Sequence, residues 1–242
     1  MRIGFTAGVR GMTLAIAAGA AASVLAQTPA ARYQPYFAVR TVETQDKFGR
    51  VQSSFYSLEE RDSSGRRLTS HLDSPAFGGK LTQANIWDPV KVRMIEINYV
   101  AQIATVTQFP PGAVDKLLPQ SRPFATDDPN RSDLAKKMLN DFEVQGYTWT
   151  TNDPNLDLDA IAAAGAVPAP ASSFSMSAYP LTHESWWSPV LQLFLLTTVR
   201  DANGYKQIVR YDQIKVKQPT PQDFEIPAGF KVRTIAVPAG GH

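Results

Sequence analysis

The chain has 242 residues, 43% hydrophobic and 19% charged, which fits one large domain or two small ones and excludes wholesale disorder. Its formal charge of +2 rests on Arg2 and Arg10; without the first 26 residues Lys and Arg fall from 24 to 22 against 22 Asp and Glu, leaving no electrostatic case for a nucleic-acid partner or an anionic membrane surface. Cysteine is absent, so disulfides, thiol catalysis, cysteine–zinc sites and a lipid-modified cysteine behind a leader are all excluded.

Residues 1–26 read as a secretory signal peptide. Arg2 and Arg10 give the positive start, residues 12–25 form an apolar, alanine-rich run, and Val24-Leu25-Ala26 precedes Gln27 as the expected mature start. Cleavage near Ala30 or Ala31 fits the same pattern. The expected address is the periplasm or the extracellular space. The run is short for a membrane span, and no later stretch reads as a spanning helix, so no transmembrane anchor is expected after cleavage. Residues 27–242 read as a single domain.

That domain begins with short strands. Residues 33–42 read as a first, aromatic-bearing strand. Residues 50–60 alternate, with Val51, Ser53 and Phe55 against Gln52, Ser54 and Tyr56. Asp62-Ser63-Ser64-Gly65 is a turn, and residues 67–72 return. Residues 84–87, 92–98 and 102–109 continue the series. Close spacing of short strands favours an antiparallel meander over βαβ units.

Residues 110–131, with five prolines, read as an irregular excursion. Residues 132–140 fit a short helix, capped by Ser132 or Asp133, with Leu134 and Met138 at helical spacing. Residues 142–151 read as a strand containing Gly146 and Trp149. Residues 152–175, rich in Ala and Pro, read as a flexible loop.

The last third is a hairpin. Residues 191–199 carry bulky apolar groups on both faces, so this strand is expected to be covered on both sides. Asn203-Gly204 is the turn, because both residue types tolerate positive φ. The alternation of the return strand breaks near Tyr211-Asp212, as a β-bulge or an edge strand would make it. Pro219 and Pro221 are expected to end ladder pairing.

Three pieces carry a family resemblance: the strands around Asp62-Ser63-Ser64-Gly65-Arg66 followed by Ile86-Trp87-Asp88-Pro89; then Phe142-Glu143-Val144-Gln145-Gly146-Tyr147; then Glu184-Ser185-Trp186-Trp187-Ser188-Pro189 with the closing Asp223-Phe224-Glu225-Ile226-Pro227-Ala228-Gly229-Phe230. Together they resemble a group of uncharacterised secreted bacterial proteins and, more distantly, the periplasmic lipoprotein-carrier proteins of LolA/LolB type. The resemblance implies a mainly β (α+β) fold: a curved antiparallel sheet or half-barrel, with one or two short helices and long loops. It implies that the concave face holds acyl chains, and it carries over no catalytic residues.

The residues themselves offer little chemistry. His71 and His183 share no metal-ligand spacing with other residues, and no Gly-x-Ser-x-Gly elbow, phosphate loop or dinucleotide fingerprint occurs. Glu59 and Glu60 fall on opposite faces of a strand and cannot share a proton. Both histidines read as polar and partly exposed. Catalytic residues, metal and cofactor are therefore expected to be none. The remaining signal is aromatic. Trp87, Trp149, Trp186, Trp187 and Phe194 are core groups or the lining of an apolar groove. Trp186 and Trp187 are adjacent, so one faces each side of a strand and at least one is expected outside the core or lining a concavity. The expected function is a non-catalytic exported protein that binds a lipid or acylated peptide; the alternative is an envelope protein that offers a sheet edge or convex face to a protein partner.

Overall fold

Aspartates set the turns. The pattern Asp-x-x-Gly recurs at Asp46–Gly49, Asp62–Gly65 and Asp201–Gly204. In each, the aspartate carboxylate accepts the backbone N–H groups two and four residues on: Phe48 and Arg50 at 2.9 and 2.9 Å, Ser64 and Arg66 at 2.9 and 2.9 Å, Asn203 and Tyr205 at 3.0 and 2.9 Å. The glycines have φ of 80°, 90° and 88°, the left-handed region that a three-residue hairpin loop needs at its last position. Arg50 and Arg66 each return a side-chain bond to their aspartate at 2.7 Å.

A second turn is used twice, 100 residues apart. Trp87-Asp88-Pro89-Val90-Lys91-Val92 and Trp187-Ser188-Pro189-Val190-Leu191-Gln192 share Trp, Pro and Val at the first, third and fourth positions, with a side-chain oxygen at the second. Asp88 accepts the N–H of Val90 at 3.1 Å and of Lys91 at 3.0 Å; the Ser188 hydroxyl accepts that of Leu191 at 3.2 Å. Val92 and Gln192 close the two turns at φ 50° and 45°, a conformation that a β-branched valine rarely takes.

The computed structural model describes residues 32–73, 79–113, 131–151 and 179–237. These turns link β1 Tyr36–Gln45, β2 Val51–Arg61, β3 Arg67–Leu72, β4 Leu81–Asp88, β5 Arg93–Asn98, β6 Ile103–Gln108, β7 Arg131–Leu139, β8 Phe142–Thr151, β9 Leu181–Ser188, β10 Leu193–Arg200, β11 Lys206–Lys215 and β12 Lys231–Ala236. They form one open, curved, mainly β sheet in the order β12-β6-β5-β4-β3-β2-β1-β11-β10-β9-β8-β7. Two meanders, β1 to β6 and β7 to β11, meet where β1 pairs with β11. The alternation break near Tyr211-Asp212 is a bulge: Val39 pairs with Asp212 and Phe37 with Lys215, and Gln213 takes φ 53°.

Three expectations are corrected. Residues 132–140 are not helical. They form β7, paired with β8, and a register shift between Leu134 and Lys137 breaks the two-residue period, which left Leu134 and Met138 looking helical. Among the described residues the only helical pieces are 3₁₀ turns, Pro111–Ala113 and Pro221–Phe224. Asn203 does not take positive φ; Asp201 and Gly204 make that turn, whereas Asn140-Asp141, at φ 47° and 66°, makes the tight two-residue turn between β7 and β8. Nor does pairing end at the prolines. The chain leaves the sheet after β11, crosses its face, and re-enters as β12, parallel to β6, so the sheet is mixed rather than wholly antiparallel. Residues 1–26, read as a signal peptide, most of residues 110–131, read as an irregular excursion, and residues 152–175, read as a flexible loop, lie outside the described residues.

The crossing segment gives the outer face of the first meander its cover. Phe224, fully buried, packs with Leu68, Ala84, Ile86, Ile95, Ile97 and Val106, flanked by Ile226 and Phe230. Asp62 anchors one end of this layer, because its partner Arg66 lies 4.5 Å over the Phe224 ring. Asp62→Ala is expected to cost about 1–3 kcal/mol by stranding the amides of Ser64 and Arg66. Urea unfolding should show a lower midpoint with an unchanged slope, and Asp62→Asn, which keeps one acceptor oxygen, should lose less.

Candidate functional site

In an antiparallel ladder, residues directly opposite one another share a face. Following the register from strand to strand therefore sorts the side chains. One face carries Arg40, Glu59, Arg61, Arg67, Thr69, His71 and Trp87 on β1 to β4. The same face carries Tyr211, Val199, His183 and Trp149 on β11 to β8. Trp187 and Phe194, paired with each other, belong to it as well.

This face is the inside of the curve. The Arg61 guanidinium on β2 donates to the carbonyls of Leu191 and of Gln192 (3.4 Å) at the entry to β10. Three strand intervals separate β2 from β10, about 14 Å on a flat sheet, too far for one side chain to reach unless the sheet coils toward that face. The Asn140 amide, in the turn between β7 and β8, likewise donates to the Tyr211 carbonyl at 2.6 Å.

At the centre of the inner face sits Glu59, 1% exposed. One carboxylate oxygen accepts the Tyr36 hydroxyl at 2.6 Å, the other the Tyr211 hydroxyl at 3.0 Å. Tyr211 and Glu59 meet across β1 above Ala38, whose methyl leaves the room. Burial first, and then the Glu59 charge, push both phenols above their ordinary value; Arg61 opposes this at Tyr36, and Arg40 and Arg67 oppose it at Tyr211. Arg61, itself 1% exposed, lies 4.8 Å over the Tyr36 ring and 5.5 Å over the Tyr33 ring, and donates to the Gln34 carbonyl at 2.9 Å. Burial draws its guanidinium down from the usual value. His71, on the same face, is lowered by burial and then by the Arg40 charge.

The five aromatic candidates divide. Trp87 is half-buried opposite Arg67, whose guanidinium lies 6.0 Å from its ring. Trp149 is half-buried and stacks on His183 at 4.6 Å, the planes 6° apart. Trp187 and Phe194 are both buried in an edge-on pair at 5.0 Å. Trp186 is on the outer face. There Lys137 Nζ lies 3.4 Å over its ring, its indole N–H donates to Glu184 at 2.7 Å, and Gly146 passes beneath it; a Cβ on Gly146 would lie 2.6 Å from the ring. The two adjacent tryptophans do face opposite sides, yet both are buried, because the sheet is covered on both faces at β9. His183 is likewise buried at 2% rather than partly exposed. It stands several strands from His71, and among the described residues no cluster of three His, Asp or Glu side chains is placed to hold a metal.

Sequence reading separated Glu59 from Glu60 correctly, with Glu60 on the outer face toward Asp223 and Lys217. It missed the polar centre itself. The available signal was charge at alternate positions inside strands: Arg40 within an apolar run, and Glu59 and Arg61 two apart.

No family model matches the chain, and no curated protein does. Among solved structures the chain is similar to an uncharacterized conserved protein from Thermus thermophilus, with 8% identity over 84% of this chain and 91% of that one, at a TM-score of 0.47. It is similar to MucB in the MucA/MucB complex of Pseudomonas aeruginosa, with 14% identity over 85% of this chain and 60% of that one, at 0.45. It is also similar to a LolA superfamily protein from Nitrosomonas europaea, with 8% identity over 79% of this chain and 90% of that one, at 0.32. Structural neighbours of low identity thus include the LolA superfamily and MucB.

The raised phenols give a pH test with a definite sign. Free tyrosine ionises near pH 10; below that both folded and unfolded chains keep the proton, and above it only the unfolded chain readily gives it up. Stability is therefore expected to hold up to about pH 10 and to fall beyond it, by about 1.4 kcal/mol per pH unit for each phenol held neutral. Urea midpoints measured from pH 8 to pH 11.5 should show this fall, and Tyr211→Phe should make it shallower.

Proposed function

We propose that this is a non-catalytic exported protein that binds an apolar ligand, a lipid or an acylated peptide, on the inner face of its sheet. The observation that carries the reading is the shared face of Trp87, Trp149, Trp187 and Phe194, assembled from four strands of both meanders. Aromatic groups on a concave face suit an acyl chain, since burial contributes about 25 cal/mol per Å² of apolar surface without any charged contact. The amino-terminal pattern supports export. Among the described residues no helix is long and apolar enough to cross a membrane.

A second reading rests on one observation. β12 is an edge strand with all six residues exposed, including Val232 and Ile235, and such an edge can accept a strand from a protein partner.

Organic extraction of the mature protein, purified from its native envelope without detergent, should yield a stoichiometric lipid by mass spectrometry, and Trp149→Ala should reduce the amount recovered. A clean extract, unchanged after incubation with envelope lipids, would refute the apolar-ligand reading. If the edge is what matters, crosslinking in envelope extracts should capture a stable complex with the wild type and lose it with Ile235→Pro.

A further inference from the structure

The inner face holds more donors than it can satisfy. Four buried side-chain nitrogens there lack a hydrogen-bond partner: Nε of Arg40, Arg61 and Arg67, and Nε1 of Trp87. They come from four neighbouring strands, β1 to β4. Arg61 stands directly opposite Arg67, and Arg67 directly opposite Trp87. All four are donors, against one unpaired buried acceptor nearby, Oε1 of Gln192, in the turn that Arg61 reaches. In a folded chain buried polar groups are nearly always paired, so four unpaired donors against one unpaired acceptor leave this face short of acceptors.

The charges are unbalanced in the same sense. Arg40, 4% exposed, Arg61 and Arg67 face a single carboxylate, Glu59. Both Glu59 oxygens are already held by the Tyr36 and Tyr211 hydroxyls. Arg61 uses its remaining nitrogens on the backbone carbonyls of Gln34, Leu191 and Gln192, a structural task. Arg40 and Arg67 form no ion pair among the described residues. One buried and one half-buried guanidinium without a counter-charge are costly to keep unless something anionic joins them.

We infer that the inner face binds an anionic group, a phosphate or a carboxylate, at Arg40 and Arg67 beside the Trp87 N–H. This rests on the apolar-ligand reading and narrows it. The aromatic wall of Trp149, Trp187 and Phe194 lies on the same face, so the ligand is an amphiphile whose acidic head meets the arginines and whose chain meets the aromatics. Guanidinium is suited to both oxyanions, because its planar fork donates two parallel bonds to one group. The acid is either the headgroup of a lipid or free inorganic phosphate, and the test separates these sources.

The experiment uses the mature chain with three probes followed by titration calorimetry: dihexanoyl phosphatidic acid, dihexanoylglycerol with the same chains and no charge, and inorganic phosphate. The expected result is a preference of about tenfold or more for the acidic lipid over the neutral one. Arg67→Gln, at the half-buried member of the pair, should remove most of that preference while leaving the neutral lipid bound as before; Arg67→Lys should keep part of it. Arg40→Gln should act in the same direction, and if it fails to fold, as its circular dichroism would show, Arg67→Gln carries the test alone. Equal binding of both lipids by the wild type would overturn the anion site and leave the apolar-ligand reading standing. Binding of phosphate alone, lost in Arg67→Gln, would uphold the anion site and sink the lipid reading. Binding of none of the three would overturn both.

Discussion

A single guanidinium fixes the curvature on which the rest depends. Arg61 leaves β2, crosses the inner face over Tyr36, and ends on the carbonyls at the entry to β10. Those carbonyls belong to a turn and have no ladder partner, so the arginine satisfies acceptors that would otherwise be stranded. A buried charge contributes little net stability against an apolar replacement, but it accepts only one geometry. Here that geometry is a coiled sheet, which turns the aromatic residues of the second meander and the arginines of the first toward the same inner side.

The two faces are built by different means. The outer face of the first meander is a conventional aliphatic layer, alternating Ala, Ile, Leu and Val, closed by Phe224 from the crossing segment. The inner face mixes aromatic, cationic and hydroxyl groups that are buried without being apolar. Tyr36 and Tyr211 each donate to one oxygen of Glu59, whose single negative charge faces the three guanidinium groups of Arg40, Arg61 and Arg67.

Strands were legible in the sequence wherever period two ran unbroken. The span 67–72 read there is β3, and 142–151 is β8. The register shift in β7 hid a strand behind helical spacing, and β12 was hidden because an edge strand exposed along its whole length shows no alternation. The doubled Trp-Asp/Ser-Pro-Val turn was present in the letters but is meaningful only when its two copies are seen to end equivalent hairpins. The aromatic candidates were legible as residues; their division between faces was not, because it is decided by a register that passes through eight strands, from β4 to β8. The polar centre was the least legible part. Its members are spread over 175 positions, from Tyr36 to Tyr211, and nothing local announces that they meet.

The seam between β1 and β11 governs the order of events during biosynthesis. The first meander can pair internally as it emerges, but one side of β1 stays open until β11, about 170 residues later, has been made, and the far edge at β6 waits longer still for β12. Contacts so distant along the chain form late and slowly. A chain arranged in this way keeps both seams open until nearly all of it has been made. The β1 seam closes first, with β11, and the β6 edge closes last, with β12.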